Sequence, residues 1–160
     1  MAVDMFLLLD GVKGESKDGK HGSAGAIDVL SFSWGCSQTG TFGAGGGGGA
    51  GKVAYTDLNI MMNVCKASAQ LMQKCATGEH ITKGTLIVRK AGKDQQEFYT
   101  VKLTDLLVAS YQTSGASEVP TDSVSLNFAK IEFEYKGQKH DGSLDAPVFG
   151  KWNISENKIF

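Results

Sequence analysis

Apolar and polar residues alternate along most of the chain, and this period of two is typical of β-strands with one dry face. The clearest case is 53–64, where Leu58, Ile60 and Met62 share one face and polar residues occupy most of the other. Similar alternation predicts further strands at 5–9, 27–35, 85–91, 97–103, 106–113, 123–135 and, shorter, 151–154. Residues 12–25 are rich in glycine, lysine, aspartate and serine, and they predict an exposed connection.

The period changes after residue 65, where apolar residues recur every three to four positions and predict a helix of about ten residues. Its apolar stripe consists of Leu71, Met72, Cys75 and Ala76. Ser68 is a candidate N-cap, although the helix could also begin nearer Lys66, and Gly78 is placed to end it in the left-handed conformation. A helix this short is marginal alone in water, so we expect it to dock on the strands.

The longest alternating run, 123–135, changes phase in its middle. The parity of its apolar residues switches at Ala129 and Lys130, which predicts a β-bulge or bend there. A kink is also expected at Thr104 and Asp105. About seven to eight strands at regular spacing with one helix predict a mainly β protein, a single β-barrel or sandwich with one flanking α-helix.

The strand at 27–35 has one heavy face and one small polar face. Leu30, Phe32 and Trp34 point one way, and Ser31, Ser33 and Gly35 point the other. Two interpretations follow. The strand belongs to an ordinary barrel with solvent outside, which this strand alone favours, or its small polar face lines a channel.

Residues 40–52 hold eight of the chain's 21 glycines. Gly46 to Lys52 matches the first seven positions of the phosphate-loop pattern G-x-x-x-x-G-K-[ST]. Val53 supplies no hydroxyl for a magnesium ion, and the segment leads into a strand where a phosphate loop must open a helix. We therefore reject a nucleotide site and expect a long flexible loop that becomes ordered against a partner.

At 160 residues, with no repeat or linker, the chain is expected to form one domain spanning 1–160. Its 16 basic and 17 acidic residues are mixed, so nothing predicts binding to nucleic acid or to an anionic membrane. No apolar run approaches the roughly 20 residues of a bilayer span, and the start lacks the basic region of a Sec signal. Neither membrane insertion nor a signal peptide is expected.

Candidate chemistry is sparse. The three cysteines include no C-x-x-C pair and are predicted to be reduced thiols that neither form disulfides nor bind zinc. His21, His80 and His140 lie in separate loops or element ends, and no H-E-x-x-H or G-x-S-x-G motif is present. His140 and Asp141 could activate a distant serine, although such a pair is more often an exposed polar tail, and a triad formed in space stays open. The sequence therefore predicts no catalytic residue, metal or cofactor.

A set of short motifs runs through the chain from end to end. They are 1–6 (MAVDMF), 14–18 (GESKD) with His21, 27–30 (IDVL) leading to 33–35 (SWG), the glycine run ending at Gly51 and Lys52, 76–80 (ATGEH), 89–92 (RKAG) and 150–154 (GKWNI). Together they resemble the haemolysin-coregulated proteins (Hcp) of bacterial type VI secretion. Two positions depart from the family pattern, because Ala69 stands where relatives often have proline and Lys151 replaces the usual glycine before Trp-Asn.

The resemblance implies a β-barrel with one flanking helix, similar in fold to phage tail-tube proteins. It also implies a homohexameric ring, with rings stacked into the inner tube of a contractile injection machine. Such a protein is cytoplasmic until the machine expels it, without a signal peptide. Its implied partners are a spike protein of the VgrG type, the contractile sheath and baseplate, and small effector proteins carried in the lumen.

The same resemblance gives roles to two regions. Ser31 and Ser33 become candidates for a lumen face that holds effectors, with exposure on the outer wall of a ring as the alternative. The glycine-rich loop becomes a contact to neighbouring subunits and the next ring through Gly43, Gly45, Gly46, Gly47, Gly48, Gly49, Gly51 and Lys52. Two other functions stay open, a phage or prophage tail-tube subunit and a monomeric binding or hydrolase domain.

Overall fold

The computed structural model describes residues 2–40, 42, 43, 45, 49 and 51–160. These residues form ten strands and one helix. In chain order they are β1 (Val3–Leu9), β2 (Ile27–Asp28), β3 (Ser31–Ser33), β4 (Cys36–Ser37), β5 (Ala54–Tyr55), β6 (Leu58–Asn63), α1 (Lys66–Thr77), β7 (Ile81–Lys90), β8 (Glu97–Ser114), β9 (Thr121–Tyr135) and β10 (Val148–Asn153). The predicted mainly β composition and the flanking helix are confirmed.

The main sheet is antiparallel with the order β2-β1-β7-β8-β9-β6-β3. Its two end strands, β2 and β3, follow each other directly in the chain. Between β2 and β3, the Val29 N–H donates to the Met5 carbonyl at 3.0 Å and the Leu30 N–H donates to the Met61 carbonyl at 2.8 Å. The first half of this segment therefore pairs with β1 and the second half with β6. One interrupted strand thus connects both edges of the curled sheet and produces the predicted barrel.

The core is built from the alternation that the sequence predicts. In β6, Leu58, Ile60 and Met62 are buried and the residues between them are exposed. The opposite strand β9 contributes Val124 and Leu126 on the same inner face. Burying one face of each strand in this way is the main source of stability for such a fold.

The helix begins one residue after Cys65 and not at Ser68. Ser68 lies in the first turn, where its hydroxyl accepts the Cys65 N–H at 3.0 Å and donates to Asp122 Oδ2 at 2.5 Å. The Glu15 carboxylate, from the 12–25 segment, accepts the Lys66 N–H at 2.7 Å. Ser68 as N-cap is therefore wrong and the alternative start at Lys66 is right, because a distant carboxylate satisfies the first free N–H group.

The helix ends at Gly78 as predicted, with φ of 71° and an N–H that donates to the Lys74 carbonyl at 3.0 Å. The predicted stripe is partly wrong. Leu71 is buried and Cys75 is half-buried, but Met72 and Ala76 are exposed. The buried apolar residues Ala67 and Leu71 and the half-buried Cys75 are spaced four apart, so the apolar contact follows one edge of the helix.

The phase change in β9 is present in the structure as a change of the buried side, from Phe128 to Ile131. Strand β9 keeps an unshifted register with β8 across Ala129 and Lys130, so a bulge at this point is wrong and the bend, the other half of the prediction, agrees with the change. On the edge of β9 that faces away from β8, the paired strand changes at this point. Residues up to Leu126 pair with β6, and residues from Lys130 onward pair with β10. The bulge lies in β8 instead, between Val108 and Ser110. At the expected kink, Asp105 has φ of 57°, within one continuous β8.

Candidate assembly surfaces

Ser31 and Ser33 are exposed on the outside of the barrel, as the strand parity predicts. Between them, Phe32 turns inward and packs on Tyr99 with ring centroids 5.4 Å apart. Leu30 breaks the predicted pattern because it is 50% exposed. It lies at the interruption between β2 and β3, where the alternation restarts.

The strand register extends this polar surface across four strands. One row, at successive paired positions of β3, β6, β9 and β8, is Ser33, Asn59, Ser125 and Ser110. The next row is Ser31, Met61, Ser123 and Gln112. Ser125 Oγ donates to Asn59 Oδ1 at 2.6 Å, so neighbouring strands are also linked through side chains. We call these eight residues the serine face, which is small, mostly polar and free of formal charge.

The glycine-rich loop, residues 40–52, connects β4 to β5. Gly43, Gly45, Gly49, Gly51 and Lys52 are all exposed, whereas Gly46, Gly47 and Gly48 lie outside the described residues. At the base of the loop, the Gly51 N–H donates to the Thr39 carbonyl at 3.4 Å. The loop also carries Phe42, whose side chain is 89% exposed.

An apolar groove, which we call the aromatic groove, opens between β10, the C-terminal half of β9 and the β4–β5 hairpin. Its volume is about 530 Å³, and its main lining residues are Trp34, Tyr55, Phe133, Phe149, Trp152 and Ile159. Phe149 and Ile159 are 52% and 72% exposed. An open apolar surface of this kind on a folded domain commonly marks a contact with another molecule.

Hydrogen bonding distinguishes the two tryptophans of the groove. Trp34 Nε1 donates to the Tyr99 hydroxyl at 2.8 Å, and its ring packs on Phe133. Trp152 Nε1 is buried and has no hydrogen-bond acceptor among the residues that the structure describes. Tyr55 pairs with Cys36 across the hairpin, and burial, together with the neighbouring thiol, raises the pKa of its hydroxyl.

The 12–25 segment is a connection between β1 and β2 with many exposed residues, as its composition predicts, and a buried ion pair also holds it in place. The Arg89 guanidinium, 3% exposed, binds both carboxylate oxygens of Asp18 and lies 4.7 Å from the Phe6 ring centroid. The Asp18 carboxylate also accepts the His21 N–H at 2.9 Å. These hydrogen bonds, that of Arg89 foremost, lower the pKa of Asp18.

A second ionic contact lies beside the first. His21, 6% exposed, places Nε2 at 2.8 Å from Glu97 Oε1, and Lys20 Nζ lies 2.7 Å from the same oxygen. Burial opposes ionisation of Glu97, but the hydrogen bonds from Lys20 and His21 outweigh it and lower the pKa of that carboxyl. Sequence reasoning missed this cluster, although an arginine directly after three apolar residues of a strand was a signal for a buried cation.

The histidines do not form a catalytic arrangement in the described residues. His21 pairs with Glu97, His80 Nδ1 lies 2.9 Å from Asp105 Oδ1, and Asp141 accepts from Ser143 at 2.6 Å. Within the described part of the chain, no group of three His, Cys, Asp or Glu side chains could hold a metal ion. The one helix described is neither long nor apolar enough to cross a membrane.

A barrel that presents a polar wall, a glycine-rich loop and an apolar groove has the features of a protein that acts through surface contacts. Comparison with known proteins identifies the family. Residues 6–135 match the family described as "Type VI secretion system effector, Hcp". The chain is also 46% identical over 161 aligned residues to protein hcp1 of Pseudomonas aeruginosa, with 98% of each chain covered. The chain therefore belongs to the Hcp family of type VI secretion proteins.

Solved structures agree with this assignment. The crystal structure of Hcp1 from Salmonella typhimurium matches the whole of both chains with a TM-score of 0.83 and 33% identity. A structure described as a type six secretion system protein matches 98% of this chain and 99% of its own with a TM-score of 0.90 and 28% identity. The resemblance found in the sequence motifs and the predicted fold class are thus confirmed.

Proposed function

We propose that this chain is the structural subunit of the type VI inner tube. Six copies form a ring, rings stack into a tube, and the tube leaves the cytoplasm through the machine with small effector proteins in its lumen. Membership of the Hcp family, combined with the continuous serine face on the outside of the barrel, is the observation that supports this role.

The lumen wall in this proposal is the serine face, with Ser31 and Ser33 at its β3 edge. Its two rows expose small side chains, and Met61, 42% exposed, is the one large apolar residue among them. A wall of this kind holds water and offers hydrogen bonds to varied cargo without the fixed charge that would trap one partner. The rival position, on the outer wall of the ring, would leave cargo binding unchanged when the face is altered.

Ring formation would use surfaces that a single copy leaves open. Strand β3 pairs with β6, and β10 pairs with β9, each on one side. Edges of this kind are commonly covered by neighbouring subunits. Head-to-tail contacts between identical chains close into rings and also allow stacking, so the glycine-rich loop can serve both within and between rings. The VgrG-type spike, the sheath and the baseplate are the partners expected at the ends and the outside of the tube.

The mass of the purified protein tests the assembly. Native mass spectrometry and light scattering across a dilution series are expected to find a species of six 17.0-kDa chains that extends into longer tubes at high concentration. A clean monomer at high concentration would contradict the tube and leave a monomeric binding or hydrolase domain as the better function. Cross-linking to sheath or baseplate proteins of the producing cell would separate a secretion tube from a phage tail tube.

Replacement of Ser33 by lysine tests the lumen. We expect rings of normal mass with less bound cargo, measured as the small proteins that co-purify with tagged rings, because a long cation would project from the wall. Ser155→Lys is the matched control, since Ser155 is exposed in the C-terminal turn and lies outside the serine face. Equal cargo binding by wild type and Ser33→Lys would place the serine face outside the lumen.

A further inference from the structure

One aromatic side chain of the glycine-rich loop has no cover in its own chain. Phe42 is 89% exposed, more than any other large apolar side chain among the described residues. Phe42 lies between Gly40 and Gly43 in the sequence. Because these two glycines have no side chains, the backbone on either side of Phe42 can approach another surface closely. An exposed phenyl ring lowers the solubility of a free chain, so we expect Phe42 to be covered when copies of the chain assemble.

The aromatic groove offers a surface of matching chemistry. Its volume of about 530 Å³ is in the range of cavities that enclose small organic groups. Trp34 and Phe133 form its wall with ring centroids 5.7 Å apart, and an entering phenyl ring would extend this tilted stack. Phe149 and Ile159 at the rim are half or more exposed, so the groove is open to an incoming side chain.

We propose that Phe42 of one subunit enters the aromatic groove of a neighbouring subunit. This inference rests on the ring and tube assembly proposed above and names one contact within it. The exposure of Phe42 shows that it does not fill the groove of its own chain. The chain therefore carries both an aromatic knob and an aromatic hole on different surfaces, which is the condition for a heterologous contact between identical copies.

Tryptophan fluorescence can report whether the groove is filled. The chain has two tryptophans, and both line the groove. Assembly of the wild type is expected to shift tryptophan emission to the blue as Phe42 covers the indoles. Phe42→Ala is expected to lose this shift and to raise the assembly midpoint concentration about tenfold or more, as for other buried aromatic anchors. The matched control is Val119→Ala, which removes a 65% exposed apolar side chain from another loop and should behave as wild type.

A cross-link tests the same contact without depending on the stability of Phe42→Ala. The exposed thiol of Cys36 lies in the groove lining. A chain that carries Phe42→Cys and Cys36→Ser is mixed with wild type and treated with a short bis-maleimide. We expect covalent dimers joined between position 42 of one chain and Cys36 of the other, identified by peptide mass. Neither the double variant alone nor a Val119→Cys, Cys36→Ser chain mixed with wild type should give this link.

The outcomes separate the two proposals. If the wild type forms rings but Phe42→Ala assembles at the same midpoint with the same emission shift, and the position 42 to Cys36 link is absent, the groove contact is wrong and the tube stands. If the wild type remains monomeric at every concentration, the tube proposal fails and the groove contact fails with it.

Discussion

Two glycine-rich segments of this barrel look alike in sequence and differ in how the structure holds them. Residues 12–25 are fixed by backbone bonds from Gly14 to Gly25 at 2.9 Å and from Ser16 to Ala26 at 3.1 Å, and by the ion pair of Asp18 with Arg89. The described residues of 40–52 are exposed, and at the base of the loop the Gly51 N–H donates to the Thr39 carbonyl at 3.4 Å. Composition therefore predicts that a segment is a loop, while the distant charged partners that hold 12–25 depend on the tertiary fold.

The substitution with the largest expected effect removes the partner that fixes the first segment. Arg89→Met should leave Asp18 without its cation, and a buried carboxylate without a partner is strongly unfavourable. We expect a large fall in the melting temperature, together with proteolysis within 12–25. Lys52→Met, in the glycine-rich loop, is the control and should leave the melting temperature unchanged. If Arg89→Met keeps the wild-type melting temperature and 12–25 stays protected from proteolysis, the ion pair is not what holds this segment in place.

Glycine replacements sharpen the comparison by steric means. A Cβ at Gly14 would lie 2.4 Å from the Ala26 carbonyl oxygen, whereas a Cβ at Gly43 would meet no atom within 4 Å. Gly14→Ala is expected to lower the free energy of unfolding by about 1–3 kcal/mol, the usual cost of overpacking. Gly43→Ala should be neutral in the unfolding of the monomer, measured by urea denaturation. Equal effects of the two would mean that the first segment can move away from its neighbours.

Acid should loosen the first segment selectively. The pKa of Asp18 is lowered in the folded state, so this carboxylate contributes stability above the unfolded value of about 3.9 and the contribution is lost as the pH falls below it. Glu97, whose pKa is also lowered, acts in the same direction. The protection of the 12–25 amides, measured as exchange relative to the intrinsic rate at each pH, should therefore fall progressively below about pH 4, while in Asp18→Asn it should already be low at neutral pH. A segment 12–25 whose protection does not fall as the pH is lowered from about 4 to about 2 would contradict this account.

The alternation of apolar residues was enough to predict the barrel, because each long strand buries one face. It predicted correctly that Ser31 and Ser33 lie on the strand face opposite Phe32, since parity alone sets the side of a strand. At Ala129 it predicted the change of buried side but not that β9 exchanges β6 for β10 as its edge neighbour at the same point, which is a feature of the tertiary fold. For 12–25 it predicted the connection but not the ion pair that holds it, because the partner of Asp18 lies 71 residues away along the chain.

The aromatic groove could not be predicted from the sequence for a similar reason. Its lining residues come from β4, β5, β9, β10 and the C-terminal tail, and nothing in any one of these segments indicates a cavity. The exposed Phe42 was visible in the sequence, but the surface it could fit was not. Local pattern therefore predicts elements and faces, while sites built from several elements depend on the fold.

The smallest expected effect concerns the chain that leads to the second segment, where Trp34 precedes β4 and donates a hydrogen bond to the Tyr99 hydroxyl. Trp34→Phe loses this bond and should lower the free energy of unfolding by about 0.5–1.5 kcal/mol beyond the change in buried area. Trp152→Phe is the matched control, because it removes a buried donor that has no acceptor in the described structure and should therefore cost less. Urea denaturation of the two variants measures the difference. Equal losses would mean that the Trp34–Tyr99 hydrogen bond adds nothing to ring packing, and that aromatic contacts alone hold the chain before β4.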